Sequence, residues 1–121
     1  MSIKLSTLDE TLWLVEISGR LDQEQAPLLE NELTQLIQEQ QNRLVIDLSR
    51  VDYVNSAGLR CLVGAWRKAR EKGGNLWLCG LNHRLKEIFS MVGFDKVFQI
   101  YPTSREAQTD LLKTGDSVQE K

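Results

Sequence analysis

The sequence holds only two cysteines, one histidine and two prolines in 121 residues. Cys61 and Cys79 do not form a C-x-x-C pair, and with His83 as the lone histidine a zinc site lacks ligands. Each cysteine sits in an apolar neighbourhood, so both read as reduced, core-type thiols, and the compartment expected from them is cytoplasmic. No apolar run approaches the roughly 20 residues that a membrane-spanning helix needs. Met1-Ser2-Ile3-Lys4 leads into alternating residues rather than into the apolar stretch of a signal peptide, so direct membrane insertion is not expected. The formal net charge is −2, without the basic excess that nucleic-acid binding usually requires. Phosphate loops, dinucleotide fingerprints and a nucleophile elbow are also missing. His83 falls at an expected helix start, with nothing to place it beside a serine, and reads as a solvated or capping residue. With no base, metal site or phosphate loop, no enzymatic activity and no cofactor are expected.

What is present suits one soluble domain: 41% hydrophobic residues, in a chain long enough to bury a core without disulfides or metal. The organising stretch is Leu44 to Trp66. Its apolar run Leu44-Val45-Ile46 stops at Asp47, a short polar turn follows, and Val51 to Val54 leads into Asn55-Ser56-Ala57-Gly58. Leu59, Leu62, Val63 and Trp66 then recur at i, i+3, i+4, i+7, the spacing of one helical face turned to a core. Asn55 or Ser56 is placed to cap the first free amides of that helix.

Around this centre the pattern predicts a hairpin over Ile3 to Leu8 and Leu12 to Ser18, closed by Gly19-Arg20-Leu21-Asp22. An amphipathic helix is expected from about Glu24 to Gln41, with Ala26, Leu29, Leu33, Leu36 and Ile37 inward and Pro27 in its first turn. The central helix should run from Ser56 to Glu71 and stop at Lys72-Gly73-Gly74. A buried strand over Leu76 to Cys79 follows, then a helix from His83 to Met91 with Leu85, Ile88 and Phe89 inward. A short strand from Val97 to Ile100 precedes a last helix capped by Thr103 or Ser104. Residues 114–121 are polar and expected as a frayed tail after a domain spanning 1–113. The alternation predicts an α/β fold: a mixed, mostly parallel sheet of about five strands with about four helices.

Few side chains here are candidates for function. Asp22, Asp47 and Asp52 lie near element ends, where Asp commonly caps turns. Arg60, Arg67, Lys68 and Lys72 lie off the apolar stripe of the central helix, as a solvated face or as a docking surface for an acidic partner. Gly64 in mid-helix costs about 1 kcal/mol against alanine and suggests that another backbone, of this domain or of a partner, comes close. Ser56 is either a cap and nothing more, or a working residue held at the positive end of a helix.

The run Leu44-Val45-Ile46-Asp47-Leu48-Ser49-x-Val51-x-x-Val54-Asn55-Ser56-Ala57-Gly58-Leu59 resembles the signature of the STAS domain, and more narrowly the bacterial anti-sigma factor antagonists. Gly19-x-Leu21-Asp22 matches a second landmark. The Gly-Gly turn, the Leu76 to Cys79 strand and Met91-Val92-Gly93-Phe94 match a third. The resemblance covers nearly the whole chain.

It implies a non-enzymatic switch. The unphosphorylated protein would bind an anti-sigma factor that is also a serine kinase of the histidine-kinase-like ATPase type. Phosphorylation of Ser56 would end the complex, and a PP2C-type phosphatase would reset it. The partner-facing surface implied comprises Asp22, Asn55, Ser56, Ala57, Gly58, Arg60, Gly64 and Arg67. The family's usual Asp before the acceptor is Asn55 here, which keeps the cap and removes a negative charge. The alternative function is a STAS scaffold subunit of a membrane transport complex, beside an ATPase or permease, with Ser56 only a cap. A monomer or weak dimer is expected.

Overall fold

A computed structural model of the chain describes residues 2–119, with side chains described for 2–112. One sheet carries five strands in the order of the chain: β1 (Ser2–Thr7), β2 (Trp13–Leu21), β3 (Arg43–Val54), β4 (Asn75–Cys79) and β5 (Ile100–Tyr101). β1 and β2 form the expected antiparallel hairpin, and β2 through β5 are parallel. The helices are α1 (Ala26–Gln38), α2 (Ser56–Glu71), α3 (His83–Met91) and α4 (Ser104–Gln119). The expected class, a mostly parallel mixed sheet with four helices, is the one observed.

The parallel strands advance in one direction across the sheet, and right-handed crossovers then set every intervening helix on one face. That is where α1, α2 and α3 lie. Across the strands, Leu5, Val15, Ile46, Leu78 and Ile100 stand in register as one row. Above them pack Leu29 and Leu33 of α1, Leu62 of α2 and Phe89 of α3, all fully buried. Each such side chain stabilises the fold by about 1.5–3 kcal/mol. The neighbouring row, Leu14, Val45 and Trp77, points to the other face, where Ala107 and Leu111 of α4 cover it. α4 covers only part of that face. Lys4, Glu16, Ser18, Asp47 and Arg50 line an open polar cleft on the remainder.

Several local expectations change. No turn interrupts residues 47–51; β3 is one 12-residue strand, with irregularities opposite Glu16–Ser18 and Gly19–Arg20 of β2. Each places one more residue on β3 than on β2, which breaks the two-residue alternation that a sequence pattern needs. The strand expected at 97–100 is mostly absent. Phe94–Lys96 forms a 3₁₀ turn, Val97 closes it, and β5 is only Ile100–Tyr101. Phe98 is buried through edge-on contacts with Trp66, Phe89 and Phe94 rather than through strand pairing.

α1 is shorter than expected but buries the expected five residues. On α2 the buried stripe is Gly58, Leu59, Cys61, Leu62, Ala65 and Ala69, while Val63 and Trp66 are half-buried. Cys61 of this stripe meets α1, donating to the Ala26 carbonyl at 3.6 Å. Helix α4 continues to Gln119, and residues 120 and 121 of the expected tail lie outside the described residues.

Candidate functional site

Strand β3 delivers the site. Val54 is buried at its end, and Asn55, in an extended conformation, is the N-cap of α2. Its Oδ1 accepts from the amides of Ala57 at 3.0 Å and Gly58 at 3.3 Å. Of the two cap candidates, Asn55 is the one used. Ser56 is therefore the first residue of the helix, exposed at its positive end, and its hydroxyl makes no hydrogen bond among the described residues.

A second loop lies alongside. The Asn55 amide donates to the Leu21 carbonyl at 3.3 Å, and Asn55 Nδ2 donates to Gln23 Oε1 at 2.7 Å. Gly58 lets α2 start hard against this loop, because a Cβ there would stand 2.6 Å from the Leu21 carbonyl oxygen. Asp22 Oδ1 accepts from the amides of Glu24 and Gln25, shaping the turn before α1, whose own N-cap is Gln25. Its other oxygen is 3.6 Å from Arg20 Nε, and the Arg20 guanidinium stacks 4.1 Å from the Tyr53 ring centre. The Asp22 and Ser56 loops are thus neighbours, joined through Gln23 and Asn55. Gln23 was not legible in the sequence, since a lone loop glutamine carries no pattern.

Ala57 and Gly58 sit inside the first turn, half-buried and buried, while Arg60 and Arg67 are exposed along α2. Lys68 is drawn toward α1, donating to Thr34 Oγ1 at 3.3 Å. Between the helices a groove of about 340 Å³ opens beside Ala57, lined by Gln23, Ala26, Glu30, Arg60 and Cys61. The close backbone expected at Gly64 is not found among the described residues: none of their atoms outside its own helix lies within 4 Å of where its Cβ would stand.

Both thiols are free and buried. Burial, then the nearby Glu30 carboxylate, pushes Cys61 up to about 12 against the opposing pull of Lys68. Burial, then Asp47, pushes Cys79 up to about 12. His83 stands on α3 with its side chain 90% exposed, 3.4 Å from Glu87. Asn82, not His83, caps that helix. Among the described residues no group of three His, Cys, Asp or Glu side chains is placed to hold a metal ion. Nor is any helix there long and apolar enough to cross a membrane.

The STAS domain family model matches residues 3–107. The chain belongs to the STAS domain family. BtrV of Bordetella bronchiseptica, a candidate anti-sigma factor antagonist, is 33% identical over 95% of this chain and 97% of its own length. The anti-sigma-B factor antagonist of Bacillus subtilis is 36% identical over 71% of this STAS chain and 78% of its own. Among solved structures, the Bacillus cell fate determinant SpoIIAA in its phosphorylated form superposes with a TM-score of 0.74 at 15% identity. That match covers 91% of this chain and 99% of the other. At that identity the likeness is one of fold.

Proposed function

We propose that this STAS protein antagonises an anti-sigma factor and is controlled by phosphorylation of Ser56. Unphosphorylated, it binds an anti-sigma factor that is also a serine kinase of the histidine-kinase-like ATPase type, and frees that factor's target. Phosphorylation ends the complex, and a PP2C-type phosphatase resets the cycle. The chain itself performs no chemistry, and its site of action is the cytoplasm.

The observation that carries this reading is the division of labour at the start of α2. Asn55 supplies the cap, which leaves the Ser56 hydroxyl exposed and without a structural role. The naming of the two relatives supports the partner class, and SpoIIAA shows that a protein of this fold exists in a phosphorylated form. A phosphate here would bring about −1.5 to −2 charges to a helix N-terminus, where dipole and free amides favour an anion. The fold would therefore tolerate it, and the effect would fall on the docking surface of Asp22, Asn55, Ala57, Arg60, Gly64 and Arg67, built for a neutral hydroxyl, with the buried Gly58 beneath it.

The test combines peptide mass mapping of residues 55–60 from native cells with affinity capture on Ser56→Ala and Ser56→Glu. One phosphate on Ser56, with the anti-sigma factor retained by Ser56→Ala and lost by Ser56→Glu, is the expected result. Equal capture by both variants would refute the switch. Recovery of a permease or transport ATPase with both would favour the scaffold role.

A further inference from the structure

Gln23 owes its orientation to a chain of hydrogen bonds that begins in the backbone of α2. The amides of Ala57 and Gly58 can only donate, so the Asn55 atom facing them is its oxygen. Its Nδ2 is thereby turned away from the helix, toward Gln23, 2.7 Å from an atom that must accept. That atom is Oε1, and the Gln23 Nε2 group, a pure donor, is left at the exposed edge.

This edge belongs to the groove between α1 and α2, whose floor holds Ala26 and the Cys61 thiol, and Cys61 donates to the Ala26 carbonyl at 3.6 Å. Arg60 also lines this groove, exposed and without an ion pair among the described residues. Glu30 on α1 supplies the one acidic side chain of the lining, and it also makes no ion pair among the described residues.

We propose that Gln23 is a specificity-determining residue of the Ser56 surface, donating beside Arg60 to an acidic side chain of the anti-sigma factor, with its polarity set by Asn55. The inference rests on the function proposed above and adds the chemistry of the partner: a carboxylate entering this groove. Two donors lining one groove suit a carboxylate's two oxygens, and Glu30 on the α1 wall disfavours any second acidic group. A phosphate on Ser56, the residue before Ala57 of the lining, would add a like charge on the approach to this groove.

The test is calorimetric titration of the full chain and its variants with the anti-sigma factor that wild type binds. Gln23→Glu still accepts from Asn55 but presents an anion, and should weaken binding by about tenfold or more. Gln23→Ala should weaken it by about tenfold. Asn55→Asp keeps the cap but compels Gln23 to turn its Nε2 inward and its oxygen outward. It should weaken binding by about tenfold in the Gln23 background, and much less when Gln23 is already alanine. Unchanged affinity in Gln23→Glu, or an Asn55→Asp effect that persists fully in Gln23→Ala, overturns the inference while leaving the function in place. If wild type binds no anti-sigma factor, the function and the inference fall together. Unchanged unfolding midpoints verify that the variants are folded.

Discussion

Two glycines on α2 should respond to the same substitution with opposite signs. At Gly58 a new methyl group would stand 2.6 Å from the Leu21 carbonyl oxygen, 2.8 Å from Leu21 Cγ and 3.1 Å from Val54 Cγ1. None of these is a loose side-chain tip. Leu21 is fully buried, and its carbonyl is tied to the Asn55 amide. Relief requires α2 to withdraw from the end of β2, an overpacking cost of about 1–3 kcal/mol. The helix propensity gained by alanine returns less than about 1 kcal/mol in the first turn. The net loss should be about 1–2 kcal/mol, and the melting point should fall by about 3–12 °C, given ~3–6 °C per kcal/mol at this chain length. At Gly64 nothing outside the helix among the described residues lies within 4 Å of the added methyl, so only the propensity gain remains. Gly64→Ala should raise stability by about 0.5–1 kcal/mol. Thermal and urea unfolding followed by far-UV circular dichroism reads both. A stabilising Gly58→Ala, or a destabilising Gly64→Ala, would refute the packing argument. If a partner's backbone approaches Gly64, that variant should weaken the complex even as it stabilises the free chain.

Asn55→Ala removes the cap of α2 and the bridge to Gln23 together, and should cost about 1–2 kcal/mol in urea unfolding, whereas Asn55→Asp should retain most of the cap. Cys61 and Cys79, with pKa values pushed to about 12, should resist alkylation at pH 8 in the folded chain and react once it is unfolded. A thiol whose value is raised on folding contributes fully below the unfolded value of 9.0, so stability should decline as pH rises from there toward about 12.

Much of the fold is legible in the residues because helical burial imposes a strict period. The stripe Ala26, Leu29, Leu33, Leu36 and Ile37 is the buried face of α1, and the bounds of α2 and α3 are those their caps imply. The misreadings share a cause in long-range pairing. Ser49 and Arg50 look like a turn because they are polar, yet strands pair through the backbone, and these residues border the part of a face that α4 leaves open. Val97 and Phe98 look like strand residues because they are apolar, but Phe98 is buried by aromatic partners from α2, α3 and the 3₁₀ turn. At the site, the Asn-Ser pair marks the cap and the exposed hydroxyl. Gln23 becomes visible only once β2 and β3 lie side by side and bring residues 32 positions apart into contact.

Strand order that repeats chain order has a consequence for how the molecule comes into being. Each new parallel strand joins the edge left by the one before, and no strand has to be threaded between two already paired. The closing distances are those of one helix and its loops, which keeps the entropy of each closure modest. A nascent chain leaving the ribosome could therefore add β3, β4 and β5 in succession, each arriving with its helix. The last piece is different: Ala107, Leu111 and Leu112 of α4 turn to the far face and pack on Leu14, Val45 and Trp77. Until those residues emerge, that face stays wet, and completion of the domain waits on its final helix.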